Sequence, residues 1–124
     1  MQLRRADVLD GAIAILDEYG LGDLTMRRLA TSLHVGPGAL YWHFKDKQSL
    51  LGAIADALLA DVDAPPSGET WDERLRDLAH RLRNALLSRR DGAELVAATY
   101  ASRLVTNNIR ERLAAVCIRA GLTR

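Results

Sequence analysis

The break at His34-Val35-Gly36-Pro37 constrains the fold of this chain more than any other feature. Before it, Met26, Leu29, Ala30 and Leu33 recur at helical spacing and Thr25 can cap their helix, so they form one face that must be buried. Gly36 admits a positive φ, Pro37 lacks an amide proton, and the residue before a proline avoids the helical region, so a turn follows. Pro37 then suits the first turn of a second short helix, running to about His43 and only about 10 Å long. Two short helices around a tight turn make a helix-turn-helix. Spacing turns Leu40 and Phe44 inward, and Tyr41, Trp42 and His43 cannot all join them, so polar-tipped rings are left outside with Lys45 and Lys47 just beyond. Gly38 and Ala39 let the backbone approach a surface closely, while the exposed rings and lysines can contact phosphates and base edges.

Nearly half of the 124 residues are hydrophobic, enough for one modest core or two small ones, and the formal net charge is only +1. Any basic footprint is therefore local: between residues 26 and 47, Arg27, Arg28, Lys45 and Lys47 face only Asp46. No stretch approaches the roughly 20 apolar residues that span a bilayer, and MQLRRADVLDG lacks a signal-peptide core, which predicts a cytoplasmic protein. The single cysteine, Cys117, excludes an internal disulfide and zinc-finger spacing and is expected to fill an apolar face.

Periodicity predicts a first helix over 4–19, with Val8, Ala12, Ile15, Leu16 and Tyr19 buried and Gly20 ending it. Asp46 caps a fourth helix to about Val62, apolar almost all round and so covered on more than one side. Ala64-Pro65-Pro66-Ser67-Gly68 breaks the chain. Thr70 and Glu73 form a capping box for a helix to about Arg89, with Trp71, Leu75, Leu78, Leu82 and Leu86 as its stripe. A short helix from Ala93 to about Tyr100 follows, then one beginning at Val105 or Asn107, carrying Ile109, Leu113, Val116 and Ala120 on one face and ended by Gly121.

The run LTMRRLATSLHVGPGALYWHFKDKQSLL resembles the DNA-binding domain of the TetR family, with GALYWHFKDKQSLL matching the recognition helix and the start of the next. WDERLRDLAHRLRNALLSRRDGAEL is similar to the fifth helix and following turn of members close to the tetracycline repressor, so the likeness runs from Leu3 to about Leu122. It implies an all-α protein: a three-helix helix-turn-helix domain over 1–48, then a linking helix and a partial ligand-binding and dimerisation domain over 49–124. Family members continue into the helices of the dimer's four-helix bundle. The chain is accordingly expected to be a fragment, or to have lost its ending, and to form a homodimer where those helices are present. The implied function is repression at a palindromic operator in double-stranded DNA, relieved by a small-molecule effector, with no catalysis, cofactor or metal.

The expected DNA-binding residues are Arg27, Pro37, Gly38, Ala39, Tyr41, Trp42, His43 and Lys47. Arg27 can pair bidentately with guanine or hold a phosphate; Tyr41, Trp42 and Lys47 position the backbone. Arg4 and Arg5 can also reach a phosphate, although arginines at a terminus are more often solvated. Pro37 and Ala39 stand where the tetracycline repressor has glutamine and threonine, so any readout there is apolar contact with a thymine methyl. The expected effector residues are Leu78, Leu82, Val96, Thr99 and Tyr100, against the plainer reading that such leucines are core. The likeness puts Asp63, Leu78, Leu82 and Val96 at the repressor's tetracycline-contact and magnesium positions, which implies a largely apolar effector that needs no metal. As an enzyme the chain offers only His43 with Asp46, His80 with Asp77, and Cys117. A ligand-binding helical module without DNA function is the other alternative, and burial of the aromatic cluster would favour it.

Overall fold

The computed structural model describes residues 2–106 and 108–122. All regular structure among them is helical: α1 (Arg5–Tyr19), α2 (Met26–Ser32), α3 (Pro37–Tyr41), α4 (Lys47–Leu59), α5 (Trp71–Leu87), α6 (Gly92–Ala101) and α7 (Ile109–Arg119), with 3₁₀ turns at Leu21–Asp23 and Ala60–Val62. The expected start of the last helix at Asn107 falls outside the described residues.

Local chemistry explains the boundaries. The Thr25 hydroxyl accepts from the Arg28 amide at 3.1 Å, and Asp46 accepts from the Ser49 amide at 2.8 Å. Thr70 and Glu73 exchange their two capping bonds. Gly20 (φ 89°) and Gly121 (φ 91°) end α1 and α7 in backbone that glycine adopts without strain. The turn after α2 departs from expectation. Gly36 sits at φ −76°, the extended form a following proline favours, and the left-handed residue is His34 at φ 58°. There the Val35 amide reaches the Ala30 carbonyl at 3.0 Å and the His34 amide reaches Thr31 at 3.2 Å, a Schellman closure with histidine where glycine is usual.

One apolar cluster runs through the chain, from Val8, Leu16 and Leu40 through Ile54 and Leu59 to Leu78, Leu95 and Val116. Helix α4 is its spine, burying Leu50, Leu51, Ile54, Ala55, Leu58 and Leu59 and packing against α1, α5 and α6. At Gly52 the approach leaves no room for a side chain, since a Cβ would lie 2.7 Å from the Leu104 carbonyl. Two expected core aromatics are outside. Tyr19 ends α1 with its ring under the Arg28 guanidinium, 4.5 Å from the centroid, and Trp71, first residue of α5, is 42% exposed.

Candidate nucleic-acid interface and ligand groove

The helix-turn-helix is held from behind. Leu29, Ala30, Leu40 and Phe44 are buried in one cluster with Val8, Ala12 and Leu16 of α1, and the Phe44 amide continues the ladder of α3 to the Leu40 carbonyl at 3.0 Å. What faces outward is what this packing cannot use: Trp42 is 86% exposed and Tyr41 50%. Arg27, Pro37 and Gly38 are exposed too, and Ala39 is half-buried. A Cβ at Gly36 or Gly38 would meet nothing within 4 Å, so no contact inside the protein requires glycine there. Exposure of the rings removes the ground for the helical-module alternative.

His43 departs from the expected outward position. Its ring is half-buried, and Nε2–H donates to the Leu3 carbonyl at 3.0 Å, fastening the N-terminal segment to the end of the recognition helix. Arg5 lies over the Phe44 ring at 4.5 Å beside that tie, and Arg4 is engaged with Asp7, which caps α1. The Arg4 amide holds the Asp7 carboxyl below its ordinary 3.8, as the Ser49 amide does for Asp46. Arg28 is spent on Tyr19, so Arg27 is the cation of α2 left for an outside partner. Lys47 occupies the first turn of α4, where a cation opposes the helix dipole; a phosphate in front of it would relieve that opposition.

The pairs considered for catalysis do not assemble. Asp46 caps α4, Asp77 pairs with Arg81 at 2.7 Å rather than with His80, and Cys117 is half-buried on α7. Among the described residues no three His, Cys, Asp or Glu side chains cluster as metal ligands.

The expected effector residues separate. Leu82, Val96 and Tyr100 line an open apolar groove of about 380 Å³, together with Leu59, Leu86 and Ile109. Leu78 and Thr99 do not reach it: Leu78 is fully buried, and the Thr99 hydroxyl donates to the Leu95 and Val96 carbonyls of its own helix at 2.8 and 3.2 Å. Leu59 was not singled out from the sequence, and Ile109 was expected only on the apolar face of the last helix, not at an effector site. The signal present was the alanine-rich run of α6, whose small side chains leave the groove open.

Two seams tie the helix-turn-helix to this region. One is the apolar packing of α1 and α6 on α4. The other is polar: Arg89 reaches Asp17 at 2.6 Å, Arg90 Nη1 donates to the Glu18 carbonyl at 2.9 Å, and Asp91 accepts from the Leu21 amide at 2.9 Å.

Described residues whose regular structure is all helical, with an exposed short helix on a buried hairpin and a groove at the far end of a shared helix, have the architecture of a helix-turn-helix protein with an appended helical domain. Residues 8–54 match the family described as bacterial regulatory proteins, tetR family, and residues 64–124 match the tetracyclin repressor-like C-terminal domain. The chain belongs to the TetR family. It is 47% identical to BioQ, solved with its natural double-stranded DNA operator, at a TM-score of 0.91, covering 98% of this chain and 73% of that one. It is 43% identical over 97 residues to the class D tetracycline repressor of Escherichia coli, covering 76% of this chain and 44% of the repressor, so it spans under half the length of that relative. ActR of Streptomyces coelicolor, solved in complex with (S)-DNPA, is 28% identical with a TM-score of 0.80, covering 99% of this chain and 61% of ActR. No described helix is long and apolar enough to cross a membrane.

Proposed function

We propose that this chain is the DNA-reading and effector-sensing part of a cytoplasmic transcriptional repressor that leaves its operator when a small, largely apolar molecule fills the groove at Leu82, Val96 and Tyr100. The observation that carries the reading is the 86% exposure of Trp42 on a recognition helix whose tip, Pro37-Gly38-Ala39, projects no bulky side chain. Trp42, Tyr41 and Lys47 then position the phosphate backbone, Arg27 pairs with a base edge or a phosphate, and Ala39 offers a methyl contact. His43 serves from behind by anchoring Leu3. Two copies reading half-sites about 34 to 36 Å apart make the operator palindromic. Helix α4 couples the two ends, since Lys47 begins it and Leu59, at its other end, lines the groove. Filling the groove shifts α4 toward the arrangement that binds DNA less well.

Titration on palindromic and scrambled duplexes tests this reading. Trp42→Ala and Lys47→Ala should weaken binding to all sequences alike, while Arg27→Ala should also relax preference at one base pair, at about 1 to 3 kcal/mol. Unchanged affinity in both Trp42→Ala and Lys47→Ala would mean that DNA docks elsewhere.

A further inference from the structure

A second cavity carries charge that the proposed function does not use. It is an open cleft of about 330 Å³ between the start of α5, α7 and the proline loop after α4, with Arg74, Arg112 and Arg119 on its rim and Pro65, Pro66 and Val116 among its apolar lining. One carboxylate, Asp63, shares the rim and lies 3.8 Å from Arg112 Nη2.

The arginines are unequally engaged. Arg74 uses Nη1 on the Gly68 and Glu69 carbonyls at 3.3 and 3.2 Å. Arg112 donates from Nη1 to the Val62 carbonyl at 2.8 Å and from Nε to the Asn108 side chain at 3.2 Å. Both guanidinium groups are therefore oriented in advance, which lowers the entropy lost on binding an anion; Arg74 keeps Nε and Nη2 for a ligand, whereas on Arg112 an anion would compete with Asp63 for Nη2. Arg119 ends α7 and is in none of the four ion pairs seen among the described residues. The dipole at a helix C-terminus explains Arg119, but not the two further cations lining the same cleft from α5 and from the first turn of α7, about two turns before Arg119.

We propose that this cleft binds an organic monocarboxylate with an apolar body about the size of a phenyl ring and a short chain. Guanidinium forks match a carboxylate bidentately, and the proline and valine surfaces reward a body that an inorganic anion lacks. Binding also draws on Arg112, whose hold on the Val62 carbonyl closes the last turn after α4. That consequence rests on the coupling role proposed for α4; occupancy of the cleft does not.

The experiment compares 4-phenylbutyrate, 4-phenylbutanol and inorganic phosphate by calorimetric titration of the purified protein in low-chloride buffer. The carboxylate should bind at least about tenfold tighter than the alcohol, and Arg119→Gln, an exposed change remote from the DNA face, should weaken it about tenfold. Equal binding of the alcohol, equal competition by phosphate, or indifference to Arg119→Gln overturns the site. Loss of binding in Tyr100→Ala but not Arg119→Gln also overturns it, since the compound would then sit in the apolar groove. Tight, Arg119-dependent binding that leaves duplex affinity unchanged keeps the cleft and overturns its coupling through α4.

Discussion

The recognition helix and the α4–α6 seam solve opposite problems with the same kind of residue. On α3 and the turn that follows it, Leu40 and Phe44 are locked into the core while Tyr41 and Trp42, their neighbours in sequence, are in solvent. On α4, apolar side chains are taken up on nearly every side, and even Gly52 is needed for the fit to Leu104. On the proposed reading, the difference lies in what the fold leaves over: in the helix-turn-helix the candidate contacts are side chains the fold does not use, whereas in the core the fold competes for the residues a ligand would touch. Leu78 and Thr99 have gone to the fold, and Leu82, Val96 and Tyr100 remain at the groove.

Four experiments sharpen this contrast. The largest expected effect comes from splitting α3. Leu40→Ala should cost about 2 to 5 kcal/mol in denaturant unfolding, because the side chain is fully buried, whereas Trp42→Ala should stay within about 0.5 kcal/mol while weakening duplex binding. Comparable losses of stability in the two would show that Trp42 belongs to the core.

Next is Gly52→Ala. Its methyl would collide with the Leu104 backbone, so thermal unfolding should reveal a loss of about 1 to 3 kcal/mol, with duplex affinity per folded molecule little changed. A neutral result would mean that α4 and the segment after α6 are not so closely packed.

Gly38→Ala should do the reverse. Open space surrounds the new methyl, and alanine favours helix over glycine by up to about 1 kcal/mol, so the melting temperature should hold or rise while DNA binding falls. Retained DNA affinity would exclude close backbone approach at the tip.

The smallest expected effect is the pH dependence of the caps. Amide hydrogen bonds hold Asp7, Asp46 and Glu73 below their ordinary values, so their contribution is fully present above the unfolded carboxyl range, near 4, and is lost as pH falls through the lower folded values. Melting temperature measured from pH 5 downward should decline, and less steeply in Asp46→Asn. An identical slope in the variant would remove Asp46 from the account.

Local chemistry was legible residue by residue. The Thr70–Glu73 box, the Asp46 cap, the proline start of α3 and the terminating glycines at 20 and 121 each follow from what a few neighbouring side chains and amides must do, and each stands where expected. So does the inward turn of Leu40 and Phe44, because helical spacing leaves no other face for them. The exposed cluster followed by subtraction from that same spacing.

What periodicity could not reach was the partner across space. Nothing near His43 in the chain announces the Leu3 carbonyl, nothing near Tyr19 announces Arg28, and Asp91 meets Leu21 across 70 positions. The same holds for the left-handed turn, which His34 takes because the Ala30 and Thr31 carbonyls need closing donors. The split among the candidate ligand residues has the same origin, since the family likeness offered all five alike and only the closing of α4, α5, α6 and α7 leaves some of them on the groove. A helix specifies its own ends through bonds three or four residues long; which of its faces meets solvent, a groove or another helix depends on packing that only the assembled chain contains.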